Sequence, residues 1–458
     1  MPHVAVDPST GRELYRVAST PLDEARLAAA RAHAAHRAWW EAGFSVRGRH
    51  LRALAEGLRS SRDALARRMA GEMGKPIVEG LGEVEKCAWV CDYYAEHAEA
   101  FLAPEHADTA ALRSGWVHRP LGVVLGIMPW NFPLWQVLRF AAPTLMAGNG
   151  VLIKHAPSVP GCAEDIQRLI DDAGLPTGLV ATLFLEVDEV DDLIADRHVA
   201  AVTLTGSVRA GRAVASAAGR ALKKTVLELG GSDASVVLAD ADVPSAAAEC
   251  VRARMLNGGQ SCIAAKRMVV VDALHDAFVD AVVADMRSRR SGDPHLPDTT
   301  LGPLARVDLR DALHDQVERS AAAGAVVRLG GEIPAGPGAW YPPTVLTEVG
   351  PGMPAYDEEL FGPVAAVIRA RDDDDAIRVA NDTAFGLGAS VYTSDLERGE
   401  AIARDRLHAG ACFVNGMVRS DPRLPFGGVG ISGYGRELSA LGIREFVNVK
   451  TVWVEAAE

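Results

Sequence analysis

Between Leu22 and Ala100 apolar residues return at intervals of three and four, as in Leu51, Leu54, Leu58 and Leu65, in a background of Ala, Arg and Glu. That period covers one face of an α-helix, so the stretch predicts a run of amphipathic helices. The pattern then changes. Trp116 to Arg119 and Val123 to Met128 are short apolar runs set apart by Pro120-Leu121-Gly122, which predicts two strands and a turn. From there strands and helices alternate. Val151 to Ile153 predicts a buried strand, Cys162 to Ala173 a helix, Leu179 to Leu185 and Val199 to Leu204 strands, a helix opens near Ser207, and Thr225 to Leu229 predicts a further strand. Alternation of this kind implies an α/β fold with a doubly wound parallel sheet, which binds ligands beyond the carboxyl ends of its strands. After Gly230-Gly231 it starts again, with a strand at Ala234 to Leu238, a helix from Pro244 to about Met255, a strand at Met268 to Val271 and a helix from Leu274 to about Met286. A second α/β domain is expected there. Gly330 to Pro343 is expected to be surface loop, and the acidic run Asp372 to Asp375 a solvated helix start.

Composition narrows the function. A chain of 458 residues exceeds one ordinary core, so two or three domains are expected. Its formal charge of -13 offers no basic face for nucleic acid or an anionic membrane, which leaves small molecules as the expected ligands. No basic start followed by an apolar run marks a secretory signal, and no stretch is apolar enough to span a bilayer. Six cysteines in so long a chain do not make a disulfide framework, and a reducing cytoplasm fits them. Cys87 and Cys91 could share a helix face, but no second Cys or His pair stands at ligand spacing. Core packing is expected for them, and no metal site; it is expected for Cys250 and Cys412 too, with a reversible redox lock to Cys262 as the alternative.

Several stretches could carry chemistry. Asn257-Gly258-Gly259-Gln260-Ser261-Cys262 places a thiol after two glycines that let backbone approach a ligand. A thiol needs a neighbouring base or positive charge to react, and a buried packing cysteine is the alternative. Pro129-Trp130-Asn131-Phe132-Pro133 is a stiff turn after a strand that could aim the Asn131 amide at a developing negative charge, or simply cap. Glu228 ends a strand before two glycines, where a mobile carboxylate could serve as general base or merely face solvent. Thr205-Gly206-Ser207 opens a helix whose N–H groups favour a phosphate, although a plain N-cap serine would look the same. Lys154 closes a strand of the same sheet. Gly428 to Gly433 matches G-x-G-x-x-G, but Arg423-Leu424-Pro425-Phe426 precedes it in place of a strand, so it is discounted as a cofactor motif.

Taken together, Pro129 to Pro133, Lys154, Thr205 to Ser207, Glu228 to Gly231, Gly259 to Cys262 and Glu359-Leu360-Phe361-Gly362-Pro363 resemble, in order and spacing, the aldehyde dehydrogenase superfamily. The likeness runs from Asp7 to Trp453. It implies two doubly wound α/β domains, a cofactor-binding one from 1–100 and 120–229 and a catalytic one from 230–430. A small oligomerisation sheet from 101–119 and 445–458 and a segment 431–444 returning toward the cofactor domain complete the implied layout. The resemblance implies Cys262 as nucleophile, Asn131 with the Cys262 N–H as oxyanion hole, and Glu228 as the base that activates water. For the cofactor it implies Lys154 and Glu359 at the riboses, Gly206 and Ser207 at the pyrophosphate, and Trp130 and Phe361 lining the cleft.

Within the superfamily, Pro133 to Arg139, Lys154 to Pro157, Gly302 to Arg306 and Ser420 to Arg423 resemble the succinate-semialdehyde dehydrogenases. That likeness implies Arg139 as a clamp for the substrate's far carboxylate, with Ser420 assisting and Trp135 beside it; a structural ion pair is the alternative for Arg139. Some relatives carry a further Arg six positions before the nucleophile, where this chain has Leu256. NAD-preferring members often carry a Glu three positions after the lysine, where this chain has Pro157, so NADP is expected with NAD also accepted, and Ser158 and His155 could meet the 2′-phosphate. Another semialdehyde, or an aliphatic or aromatic aldehyde, is the alternative substrate. A CoA-acylating enzyme is disfavoured by Glu228, and a non-catalytic binding protein by the intact Cys262, Glu228 and Asn131. A homodimer or homotetramer is implied by the same likeness.

Overall fold

The computed structural model describes residues 3–456. The amphipathic stretch forms four helices, Leu22–Glu41, Gly43–Ser60, Arg62–Met73 and Ile77–Phe101. Leu51, Leu54 and Leu58 on the second of these helices and Leu65 on the third are buried in one core cluster with Cys87 and Cys91. Burial of this apolar stripe is what holds helices of such length against the sheet behind them.

That sheet has six strands in the spatial order Gly433–Tyr434, Lys224–Glu228, Val199–Thr205, Val123–Ile127, Gly150–Lys154 and Val180–Leu183. All pairs are parallel except that of Gly433–Tyr434 with Lys224–Glu228. The first strand in sequence lies in the middle, so the chain winds outward from Val123–Ile127 in both directions, and the crevice beside that strand is a topological switch point. A second sheet has the order Val326–Leu329, Thr344–Thr347, Val364–Ala370, Arg267–Val271, Ala234–Val237, Gly388–Tyr392 and Ala411–Val414. It too is parallel apart from its first edge strand. A three-stranded antiparallel sheet joins Val447–Val454, Arg113–Pro120 and Glu105–His106.

Two sequence expectations need correcting. The acidic run is not wholly solvated: Asp372 caps the helix Asp373–Asn381, and Asp375 is buried between Arg371 and Arg378, whose hydrogen bonds hold its carboxyl well below the usual range. The loop from Gly330 to Pro343 is irregular but not all surface. Ala339 and Tyr341 are buried, and the Ala339 N–H donates to Pro8 O at 2.8 Å, tying down the N-terminal segment. The discounted glycine motif forms a short 3₁₀ turn, Gly430–Ser432, leading into the antiparallel edge strand. No helix among the described residues is long and apolar enough to cross a membrane.

Candidate active site

Parallel strands put their carboxyl ends on one edge. The turn carrying Asn131 follows Val123–Ile127, Lys154 ends its strand, Gly206 and Ser207 follow Thr205, and Glu228 ends its strand, so four separate motifs meet along that edge. In the second sheet the chemistry lies at the amino ends: Cys262 shortly precedes Arg267–Val271, and Glu359 to Phe361 precede Val364–Ala370. The two edges meet. Asn131 Nδ2 donates to Gln260 O at 3.0 Å, and the Gly231 N–H donates to Glu359 Oε1 at 3.0 Å.

The loop before Cys262 is held from beneath by buried cations. Arg254 Nη2 donates to Gly259 O and Gly362 O at 2.6 Å each and to Leu360 O at 3.1 Å; Lys266 Nζ donates to Ser261 O at 2.7 Å and Cys262 O at 2.5 Å. Asn257 and Gly259 have φ of 54° and 77°, and a Cβ on Gly259 would lie 2.1 Å from Gly362 O, so only glycine fits there. Burial pushes the Cys262 thiol up to about 12, with Lys266 and Arg139 opposing the rise. The thiol is therefore protonated near neutral pH and needs a proton acceptor when it attacks.

Asn131 is pinned to the same loop. Its one donated hydrogen bond leaves a second amide hydrogen, and Asn257 Nδ2 donates to the Asn131 carbonyl at 2.7 Å. Among the described residues the Cys262 N–H has no acceptor. Asn131 thus keeps an amide hydrogen, and the loop that carries the thiol an N–H, able to meet an oxyanion.

Glu228 is buried with neither carboxylate oxygen hydrogen-bonded, and a Cβ on Gly427 would lie 2.6 Å from its Oε1. Burial holds its carboxyl well above the usual range; the charge of Glu437 adds to this, while Arg139 and Arg436 oppose it. Its side chain is not among those lining the cavity that holds Cys262. Arg139 forms a buried ion pair with Glu437 through Nε, donates from Nη2 to Thr205 Oγ1 at 3.1 Å, and lies 5.0 Å from the Phe426 ring centroid. The expectation of Arg139 as a carboxylate clamp is corrected to this extent: it borders the cavity, but its charge is already met by Glu437.

The cavity measures about 310 Å³; its apolar wall includes Cys262, Phe132, Trp135, Ile263 and Phe426, and its polar members include the cations Lys86, Arg139 and Arg419, the carboxylates Glu79 and Glu83, and Ser420. Lys86 Nζ donates to Ser420 Oγ at 2.8 Å and lies 4.3 Å from the Trp135 ring centroid. Leu256, standing where some relatives carry an Arg, is part of the same wall.

On the cofactor side, Lys154 is buried, which lowers its ammonium below the usual range against the pull of Glu186. Ser158 Oγ is buried without a hydrogen-bond partner. Ser207 caps the helix Val208–Arg220 through Ala210 N, and the first turn of any helix leaves N–H groups free for an anion. Glu359 faces Gly231 and lies 3.4 Å from Lys266, and Phe361 meets Trp130 edge to face at 5.9 Å. Cationic, hydroxyl, helix-terminal and aromatic groups at the carboxyl edge of the first sheet and on the segment of the second that meets it suit a dinucleotide, and the unpartnered Ser158 hydroxyl, four residues after Lys154, suits an additional anionic group. His155 does not share in this. Its Nδ1 accepts from the Ala156 N–H at 2.8 Å, so Nε2 carries the proton and donates to Pro133 O at 2.8 Å. Burial lowers the ring to about 4, leaving it neutral with both nitrogens engaged, and the expected phosphate contact is withdrawn.

Lys86 and Glu437 escaped the sequence reading. Glu79, Glu83 and Lys86 stand four and three positions apart, which puts a polar stripe on one face of a helix otherwise read as packing; that was a usable signal. Glu437 sits just past the discounted glycine motif, and nothing local marked it.

The chain matches the Aldehyde dehydrogenase family over residues 3–452. A succinate semialdehyde dehydrogenase named for NAD(P)+, Sad of Escherichia coli K12, is 47% identical over 450 residues, covering 98% of this chain and 97% of that protein. Succinate-semialdehyde dehydrogenase [NADP(+)] 1 of Mycobacterium bovis BCG is 48% identical over 457 residues, covering 99% and 100%. Among solved structures, the succinic semialdehyde dehydrogenase of Streptococcus pyogenes in complex with NADP+ superimposes with a TM-score of 0.97 at 36% identity, covering 99% of this chain and 100% of that one. With a thiol, an amide and a buried carboxylate gathered where two α/β sheets meet, and with likeness over nearly its whole length, this chain belongs to the aldehyde dehydrogenase family.

Proposed function

We propose that this protein oxidises succinate semialdehyde to succinate, with NADP preferred and NAD also accepted. The observation that carries the reading is the shared cavity, which brings the Cys262 thiol together with Lys86, Arg419 and Ser420. An aldehyde bearing a carboxylate matches both its reactive and its cationic members. The names of the relatives from Escherichia coli and Mycobacterium bovis agree with this substrate and cofactor.

Cys262 Sγ gives its proton to solvent water and bonds to the aldehyde carbon, and the oxygen takes up negative charge between the Asn131 amide and the Cys262 N–H. A nicotinamide, when bound, supplies the hydride acceptor that turns the adduct into a thioester. Lys154, Glu359, Gly206, Ser207, Trp130 and Phe361 would hold that cofactor, and the unpartnered Ser158 hydroxyl would be the donor for a 2′-phosphate. Glu228 then takes a proton from water, the hydroxide adds to the thioester carbon, the C–S bond breaks, and the proton held by Glu228 passes to the departing Cys262 thiolate as the acid leaves, which restores both groups. Glu228 must turn from its buried resting place to do so. The cofactor domain comprises 1–100 and 120–229 and the catalytic domain 230–430, with 431–444 returning to the first. Subunits pair through 101–119 and 445–458 as a homodimer or homotetramer. Six free cysteines suit a reducing cytoplasm.

Initial rates on succinate semialdehyde, hexanal and benzaldehyde, each with NAD and NADP, test the reading. The expected order puts succinate semialdehyde with NADP first. Equal or faster turnover of the neutral aldehydes would remove the substrate, and faster turnover with NAD would remove the cofactor preference.

A further inference from the structure

We propose that Lys86, held by Ser420, is the cation that binds the carboxylate of the substrate and sets the preference for a carboxylated aldehyde. This rests on the substrate reading above and names the residue behind it.

The argument is an account of charge around one cavity. Arg139 is neutralised by Glu437 in a buried ion pair. Lys75, on the segment before the long helix, is neutralised by Glu83 in the same way. Lys86 makes one hydrogen bond among the described residues, to the neutral Ser420 hydroxyl, and no ion pair. Its ammonium rests near the Trp135 ring, a position that favours a cation but leaves its charge unmatched. The acidic groups nearest to it are spoken for: Glu83 by Lys75, and Asp421, next to Ser420, by Arg423. Glu79 also lines the cavity, with Oε2 accepting from the Asn257 N–H; burial raises its carboxyl to about 7, so its charge grows as pH rises and opposes an anionic substrate in wild type and variants alike. A charge desolvated without a counter-ion is costly, so a ligand carboxylate entering this cavity meets a cation that gains by pairing. Exposed Arg419 stands on the same wall, where solvent weakens its hold on an anion.

Geometry fits the rest of the substrate. Phe132, Trp135 and Ile263 form apolar wall in the cavity that also holds Cys262, which suits a short methylene chain running between an aldehyde and a carboxylate. Ser420 Oγ accepts from Lys86 and keeps its own hydrogen to donate to a carboxylate oxygen, so the pair offers two donors.

Burial, followed by the neighbouring Arg139, lowers the Lys86 ammonium to about 8; Cys87, Glu83 and Asp421 pull the other way. Its charge is therefore present at pH 7 and lost as pH rises through about 8. The quantity to measure is the ratio of kcat/KM for succinate semialdehyde to that for butanal, in which changes in Cys262 ionisation cancel. In the wild type the ratio should fall as pH rises through about 8. In Lys86→Gln it should be lower at pH 7 by about 10- to 100-fold, the worth of a hydrogen bond to a charged group, and should lack the fall near 8, keeping only the part due to Glu79. Lys86→Arg should restore the ratio at pH 7 and also lack the fall near 8, because its guanidinium stays charged. A wild type that prefers succinate semialdehyde with a Lys86→Gln ratio equal to it would overturn the assignment of Lys86 and leave the substrate standing. A wild type without that preference would overturn both. Should Lys86→Gln not fold, the wild-type and Lys86→Arg pH profiles decide alone, and coincident profiles overturn the proposal.

Discussion

Glu228 ends its strand with two carboxylate oxygens that meet no donor, and Glu437 lies close enough to raise its proton affinity further. A general base is useful only when deprotonated, so deacylation should rise with pH through the Glu228 pKa. Replacing Glu437 by Gln removes a negative charge and leaves Arg139 unbalanced beside Glu228; both changes favour the carboxylate. The rising limb of kcat against pH should therefore move to lower pH in Glu437→Gln. An unmoved limb would show that the Glu437 charge does not reach the base. At this scale the residue types that react were legible, since a thiol, an amide and a strand-end carboxylate declare their chemistry by themselves. Their charge states were not. Cys262, Glu228 and His155 are all shifted first by burial, a property of everything packed around a group and not of its neighbours in sequence.

The helix Ile77–Phe101 does more than pack. Glu83 Oε1 accepts from the Leu134 and Trp135 N–H groups at 3.0 and 2.9 Å, satisfying the start of the helix Trp135–Met146, while its other oxygen meets Lys75 in a fully buried ion pair. Removing one member strands the other in a dry interior. Lys75→Met should cost about 3–5 kcal/mol of stability, seen as a lowered thermal midpoint, and should loosen the turn that carries Asn131. A midpoint within a degree or so of wild type would mean that water or a shifted side chain reaches Glu83. Element identity was largely legible here because periods of 3.6 and 2 are local, and the helices and strands up to Met286 lie where periodicity put them to within a few residues. Strands such as Val364–Ala370 and Ala411–Val414 were not singled out. The first is an apolar run without alternation, which periodicity alone does not tell from a buried helix, and the second has only four residues; the sheet that surrounds them decides that they are strands.

Across the whole molecule, the three-stranded sheet leaves Val447–Val454 at an edge with Val449, Val452 and Trp453 exposed, an apolar surface on a strand with one unpaired side. Sedimentation should show an oligomer for the wild type and a smaller species for the pair Val449→Lys and Trp453→Lys, with the secondary structure retained; an unchanged sedimentation coefficient would place the subunit contact elsewhere. The amino-acid sequence by itself determined the alternation of elements, the α/β class and the order of the reactive motifs, because hydrophobic period and residue chemistry are carried by neighbouring positions. Only the tertiary structure decided which charges cancel. Arg139 finds Glu437, Lys75 finds Glu83, and Lys86 is left facing the cavity with a hydroxyl, because partners are chosen by distance in space between segments far apart in the chain.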